Sequence, residues 1–375
     1  MSFAYRRLVV KLGTSTLTGG ATRLAPAHIV ELVRQMALLG EAGCEVSLVS
    51  SGAIAAGRER LGFPALPRAI PARQMLAAVG QPRLMALYEQ LFGLYGRTVA
   101  QVLLARGDIS HRRSYLNARN TLRALLDQRV VPIVNENDTT ATEEIRVGDN
   151  DNLSALVANL VDADLLLLLT DQPGLFTADP RRDPSAKLLP EVTGPDIPPE
   201  LWEAAGRTPG QLGTGGMVTK LQAADLARRS GTTTVIARGS EAEVILRAAR
   251  AEPVGTRFPA QASLLESRKR YILSGWDGKG RIVVDEGAAR ALGRGSSLLP
   301  VGVVGLTGAF ERGDTVAVFD GGGRELARGL VNYHAGELAR ILGQHSDQIE
   351  ATLGYGYGDE VIHRDHLVLS SQEGR

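Results

Sequence analysis

Cysteine is nearly absent: 375 residues contain one, Cys44. No intrachain disulfide can form, so a packed core must hold the fold, which suits a reducing cytosol. A thiolate zinc site is excluded for the same reason. No sign of charge prevails. The chain has 42 Lys plus Arg against 41 Asp plus Glu, a formal net charge of +1. That is too little to draw the whole molecule to nucleic acid or to an acidic membrane. Long apolar runs are missing as well. The longest aliphatic stretch, Leu165 to Leu169, is flanked by Asp162, Asp164 and Asp171, far short of the ~20 apolar residues that span a bilayer. Lys11 interrupts the apolar residues near the N-terminus, so no signal peptide is expected and a cytoplasmic location is. The sequence has no G-x-x-x-x-G-K-[ST] loop, no G-x-G-x-x-G, no H-E-x-x-H and no G-x-S-x-G, which removes the chemistries those strings carry.

What is present is ordinary globular composition, 44% hydrophobic and 22% charged, at a length that predicts two domains, three at most. Apolar strand candidates at Leu8–Lys11, Val46–Val49, Thr98–Leu104, Val130–Val134, Asp164–Leu169 and Thr232–Ile236 alternate with helical periodicity. Pro26 opens a helix that places Ile29, Leu32, Val33 and Met36 on one face. This pattern predicts an α/β domain, an open and mostly parallel sheet sandwiched by helices. Ligands sit beyond the carboxyl ends of such strands, and polar or Gly-rich segments follow Val10, Val49, Val134 and Leu169. Composition shifts near Glu252–Arg270; beyond it come short β runs with tight Gly turns. The boundaries expected are a first domain at 1–255, a linker at 256–275, a small mostly-β domain at 276–357 and a tail at 358–375.

Several segments are candidates for chemistry. Lys11-Leu12-Gly13-Thr14-Ser15 puts an ammonium beside the free N–H groups of a Gly turn, suited to phosphate oxygens; Lys11 as a plain strand end is the other reading. Gly213-Thr214-Gly215-Gly216-Met217-Val218-Thr219-Lys220 runs into an amphipathic helix. Lys220 in its first turns is unfavourable there unless an anion lies near; an ordinary helix entry is the alternative. Asn135-Glu136-Asn137-Asp138 follows a strand, and Gly148-Asp149-Asn150-Asp151-Asn152 precedes a helix; both also read as an Asx turn and an N-cap. Thr170-Asp171 ends the most apolar strand and opens a long polar loop. His363 and His366 read as part of a solvated tail rather than a metal pair, and Cys44 as a small buried hydrophobe.

Together these strings resemble the amino acid kinase family, and within it the members that phosphorylate the side-chain carboxylate of L-glutamate. The matching segments are Val9–Thr14, Val49–Gly57, Val131–Thr139, Gly148–Ala155, Thr170–Arg181 and Gly213–Ala227. Val218 departs from the family pattern, which often has Ser there. The C-terminal part resembles a PUA domain through Val284–Ala288, Gly295–Pro300 and Gly308–Asp314. The resemblance implies ATP and Mg²⁺, with Lys11 and Lys220 flanking the transferring phosphoryl and Asp151 orienting them. It implies that Ser51, Gly52, Asp138 and Asn150 hold glutamate, with Asn135 nearby and Asp138 facing the α-ammonium. Gly13, Thr170, Asp171 and the stretch Thr214, Gly215, Gly216, Met217, Val218, Thr219, Lys220 would contact the nucleotide. It further implies a homodimer or homotetramer, feedback by proline, the first step of proline synthesis, and a possible hand-over to glutamate-5-semialdehyde dehydrogenase. A carboxylate nucleophile of pKa near ~4.3 is already ionised at neutral pH, so no general base is required.

Two other readings stand beside this one. The first is a family member acting on acetylglutamate, aspartate or a nucleoside monophosphate. The second is RNA binding through the C-terminal domain. From Trp276 to Tyr357 there are 8 Lys plus Arg and 10 Asp plus Glu, a net of −2. That is a poor footprint for a phosphate backbone.

Overall fold

A computed structural model describes residues 3–67, 69–105, 111–140, 150–180, 182–206, 216–261, 263 and 280–370. The chain forms two compact units. One comprises Met1–Ile109 and Ala118–Leu264, the other Ser110–Asn117 and Leu265–Arg375.

The elements of the first part, in order, are β1 Arg7–Leu12, α1 Thr14–Thr18, α2 Pro26–Glu41, β2 Glu45–Ser50, α3 Ala53–Arg60, α4 Ile70–Gly93, β3 Val99–Leu104, α5 Arg112–Asp127, β4 Val131–Glu136, α6 Asn150–Val161, β5 Leu165–Thr170, α7 Pro199–Ala204, α8 Met217–Arg229, β6 Thr233–Arg238, α9 Val244–Ala249 and β7 Thr256–Phe258. The strands form a seven-stranded sheet in the order β3-β4-β2-β1-β5-β6-β7. All neighbours run parallel except β6 and β7. All six residues of β5 are buried, as a central strand covered on both faces requires. The periodicity read at Pro26 holds: Ile29, Leu32, Val33 and Met36 are buried against Leu8, Val10, Leu48 and Ile133. Each such aliphatic side chain contributes about 1.5–3 kcal/mol by leaving water. From β1 the chain goes to β2 on one side and later to β5 on the other. This makes the carboxyl edge around β1 a topological switch point, where a crevice opens.

Two glycines set the seam between α3 and α4. A Cβ on Gly57 would stand 1.9 Å from the Leu76 carbonyl oxygen, and one on Gly80 would stand 1.8 Å from that of Ala53. The two backbones are in contact, and no side chain fits between them. Gly80→Ala should therefore cost about 1–3 kcal/mol, the usual range for overpacking. Urea unfolding measures it, and an unchanged midpoint would mean that the helices have room to part.

The second part carries β8 Arg281–Val284, α10 Glu286–Gly293, β9 Val303–Thr307, β10 Thr315–Phe319, β11 Glu325–Leu330, α11 Ala335–Ile341, α12 Ile349–Leu353 and β12 Leu367–Leu369. Its five strands lie in the order β12-β11-β10-β8-β9. Its core gathers Ile282, Val318, Leu338, Val361 and Ile362. The Asp285 carboxylate caps α10 by accepting from the Ala288 N–H at 2.7 Å, one of the four donors a helix start leaves open.

Two expected boundaries move. Thr256–Phe258, expected at the start of the linker, pairs with β6 and closes the first sheet; three residues are too short for a periodic signal. The rest of that linker beyond Ser263 lies outside the described residues, as do 371–375 of the tail. The remainder of the expected tail is no tail. Val361 and Ile362 are buried, the Leu298 N–H donates to the Ile362 carbonyl, and β12 pairs with β11. His366 is accordingly buried rather than solvated. Cys44 is half-buried, with Sγ 3.6 Å from the Tyr5 carbonyl oxygen. Among the described residues no helix is long and apolar enough to cross a membrane.

Candidate active site

Lys11 is the last but one residue of β1, Asp151 the second of α6 and Lys220 the fourth of α8. Far apart in sequence, they meet at the carboxyl edge of the sheet. Lys11 Nζ lies 2.6 Å from Asp151 Oδ1 and Lys220 Nζ lies 3.2 Å from Asp151 Oδ2. All three are buried, at 5%, 3% and 9% exposure for Lys11, Asp151 and Lys220. The Thr219 hydroxyl reaches Asp151 Oδ2 at 2.6 Å and the Gly216 carbonyl at 3.0 Å. Burial pushes the Asp151 carboxyl up, but Lys11 and Lys220 together outweigh it and hold it at about 2. Burial depresses the Lys11 ammonium; the Asp151 carboxylate opposes that and Lys220 adds to it. Two cations thus share one anion. The surplus positive charge is expensive in a poorly solvated place unless an anion arrives.

A cavity of about 420 Å³ opens beside Lys220. Its lining includes Ser15, Thr170, Asp171, Phe176, Met217 and Lys220. Gly216, at φ +91°, turns the chain into the N-terminus of α8, whose first N–H groups have no partner within the helix. Gly13 opens α1 beside Lys11; a Cβ there would sit 3.4 Å from Lys11 Nζ. The Thr170 hydroxyl donates to Asp171 Oδ1 at 3.0 Å. The Val218 and Thr219 side chains are buried, with the Thr219 hydroxyl on Asp151. Thr214 and Gly215 lie outside the described residues.

A second group of polar side chains lies on the other side of the trio. The Ser51 N–H donates to the Leu12 carbonyl at 3.0 Å, tying the end of β2 to β1. Gly52 opens α3 at φ +99°, a conformation that disfavours any side chain, and a Cβ there would meet Leu17 at 2.8 Å. Asn150 Nδ2 donates to Ser51 Oγ at 3.0 Å and to Asn135 Oδ1 at 3.0 Å. Asp138 stands apart, half-buried in the turn after β4, with no hydrogen bond to Ser51, Asn135 or Asn150 among the described residues. Burial raises its carboxyl above the ordinary value, opposed by Arg73. Sequence reasoning missed Gln81, which bonds to Asn135. A lone helical glutamine carries no signal that would have found it.

A buried lysine–carboxylate–lysine trio stands at the switch point of a parallel sheet, beside a cavity of about 420 Å³. The amino acid kinase family model matches residues 6–238, and the PUA domain model matches residues 280–353. The chain belongs to the amino acid kinase family and carries a PUA domain after the kinase fold. Among its curated relatives is glutamate 5-kinase of Shewanella amazonensis, 56% identical over 99% of this chain and 97% of that one. Another is glutamate 5-kinase of Salmonella paratyphi A, 57% identical over 96% of this chain and 98% of that one. A solved structure, UMP kinase from Bacillus anthracis, aligns with 69% of this chain and 97% of its own at 17% identity, with a TM-score of 0.46.

Proposed function

We propose that this chain transfers the γ-phosphoryl of ATP to the side-chain carboxylate of L-glutamate, giving γ-glutamyl phosphate and ADP. The observation that carries the reading is the trio's surplus positive charge beside the cavity. The relatives, glutamate 5-kinases at 56% and 57% identity, supply the substrate. The attacking carboxylate is ionised at neutral pH, so the site needs no base. Two anions must approach in line, and their repulsion is the main barrier. Lys11 and Lys220 offset it from either side, and Asp151 holds both ammonium groups in place.

The nucleotide fills the cavity by Thr170, Asp171 and Met217, with its phosphates at the N-termini of α1 and α8. Mg²⁺ travels on those phosphates. Asp151 has its two oxygens facing ammonium groups, and among the described residues no three His, Cys, Asp or Glu gather into a metal cage. When bound, the ion neutralises phosphate charge. Glutamate lies along Ser51, Gly52 and Asn150, with its α-ammonium toward Asp138. The reaction belongs in the cytoplasm, where ATP is supplied. A homodimer or homotetramer, proline inhibition at the glutamate pocket and hand-over to glutamate-5-semialdehyde dehydrogenase complete the proposal; inhibition by proline competitive with glutamate would support it.

The test supplies ATP, Mg²⁺ and hydroxylamine, which traps an acyl phosphate as hydroxamate. Free glutamate should yield hydroxamate with matching ADP, and N-acetylglutamate and aspartate should not. Silence with glutamate and product with another acid would reassign the substrate. Asp138→Asn should raise KM for glutamate about tenfold or more, the value of a hydrogen bond to a charged group, with kcat nearly kept. An unchanged KM would refute the ammonium contact.

A further inference from the structure

We infer that Gln81 is a positioning residue: it sets which way the Asn135 and Asn150 amides face, and through them the affinity for the amino-acid substrate. The inference rests on the glutamate reading above. Main-chain groups fix the polarity of the chain of amides at two points. The Glu136 N–H can only donate, and it bonds Asn135 Oδ1 at 2.9 Å. The Ser50 carbonyl can only accept, and it takes Asn150 Nδ2 at 3.4 Å. Asn150 Nδ2 also donates to Asn135 Oδ1 at 3.0 Å. The Asn135 nitrogen must therefore face the other way, and it donates to Gln81 Oε1 at 2.8 Å. Gln81 Nε2 donates onward to Gln101 Oε1 at 3.1 Å, on the edge strand β3.

Asn135 and Gln81 are 2% and 9% exposed, so little water is at hand to replace a lost partner. Without an acceptor at position 81, the Asn135 amide hydrogens have nowhere to go. Turning the amide over would set its nitrogen against the Glu136 N–H and the Asn150 nitrogen, donor against donor. Gln81 makes the observed orientation the satisfied one. The consequence falls on Asn150. Its nitrogen is committed to Ser50, Ser51 and Asn135, while its Oδ1 is buried with no hydrogen-bond partner among the described residues. An unpaired acceptor is satisfied by a donor, and the only donor on a glutamate dianion-plus-ammonium is the α-ammonium group. The relay from Gln81 thus presents an acceptor to that group, in addition to the Asp138 carboxylate.

The experiment uses the full chain with ATP and Mg²⁺ saturating and glutamate varied, and compares wild type with Gln81→Leu and Gln81→Glu. Leucine keeps the bulk and removes the acceptor; glutamate keeps the acceptor. Gln81→Leu should raise KM for glutamate about tenfold, the order expected when a buried donor loses its partner, with kcat and KM for ATP within about twofold. Gln81→Glu should restore most of that affinity. A packing role alone would let Gln81→Leu pass unnoticed, or would lower kcat, ATP affinity and thermal midpoint together with no rescue by Gln81→Glu; either result overturns the inference. Should Gln81→Leu fail to fold, Gln101→Ala frees the far end of Gln81 and should raise KM for glutamate more mildly, and no change would count against the relay. Wild-type turnover in the same assay judges the glutamate reading separately. A wild type inactive on glutamate ends that reading, whereas an active wild type with an unaltered Gln81→Leu ends only the inference.

Discussion

Lys11→Ala and Lys220→Ala should each lower kcat by at least about 10², the cost of removing one preorganised charge from a developing phosphoryl transition state. The lysines flank one carboxylate at 2.6 and 3.2 Å, so they act as a unit. The double variant should lose much less than the product of the single losses, because each lysine works only while the other holds the phosphate in line. Thermal midpoints of the single variants should stay near wild type: either alanine leaves Asp151 one cationic partner, so no buried carboxylate is stranded. Steady-state kinetics in the hydroxamate assay measure the loss, and normal turnover in either single variant would take that lysine out of the mechanism.

Asp151→Asn should do comparable damage by a different route, and pH separates the two. The amide has the carboxylate's shape but leaves Lys11 and Lys220 facing each other as like charges. Burial already depresses the Lys11 ammonium. Without its counterion that group falls further and gives up its proton more readily. A loss in kcat of at least about 10² is expected at neutral pH. The variant should regain rate as the pH is lowered, since acid restores the Lys11 ammonium; no regain would mean that Asp151 does something other than keep Lys11 charged. Wild-type kcat/KM for ATP should fall on the alkaline side below the ordinary lysine value of 10.5, for the same reason. Stability carries the complementary sign. The Asp151 carboxyl sits at about 2 in the fold against 3.8 as the ordinary value. Its contribution is therefore complete above 3.8 and lost as the pH falls toward 2. Urea unfolding across that window should show a limb that Asp151→Asn lacks.

Much of this site was legible because its parts are local strings. A lysine closing an apolar strand, glycines ahead of a helix, and amides massed at element ends are each a property of a few neighbouring residues. Ile29, Leu32, Val33 and Met36 announced their buried face by spacing alone. Other features left no mark on the sequence. Gly57 and Gly80 look like helix-weakening residues until two backbones are seen in contact. Gln81 reads as a helical side chain turned to water until the Asn135 amide is found donating to it. The burial of the Val218 and Thr219 side chains could not be read from their string. Residues 361–369 read as a polar tail because a two-residue apolar plug and a three-residue strand are shorter than any period.

By itself the sequence determined the class of the sheet, the edge at which a ligand would sit and the residue types gathered there, since strand burial, turn chemistry and helix entry are decided by near neighbours. Tertiary structure alone decided that one carboxylate stands between two lysines, which face of α8 meets the cleft and which way each buried amide points. Those are matters of distance between distant segments. At that scale packing and the scarcity of water, rather than local preference, determine which charge or donor goes unanswered.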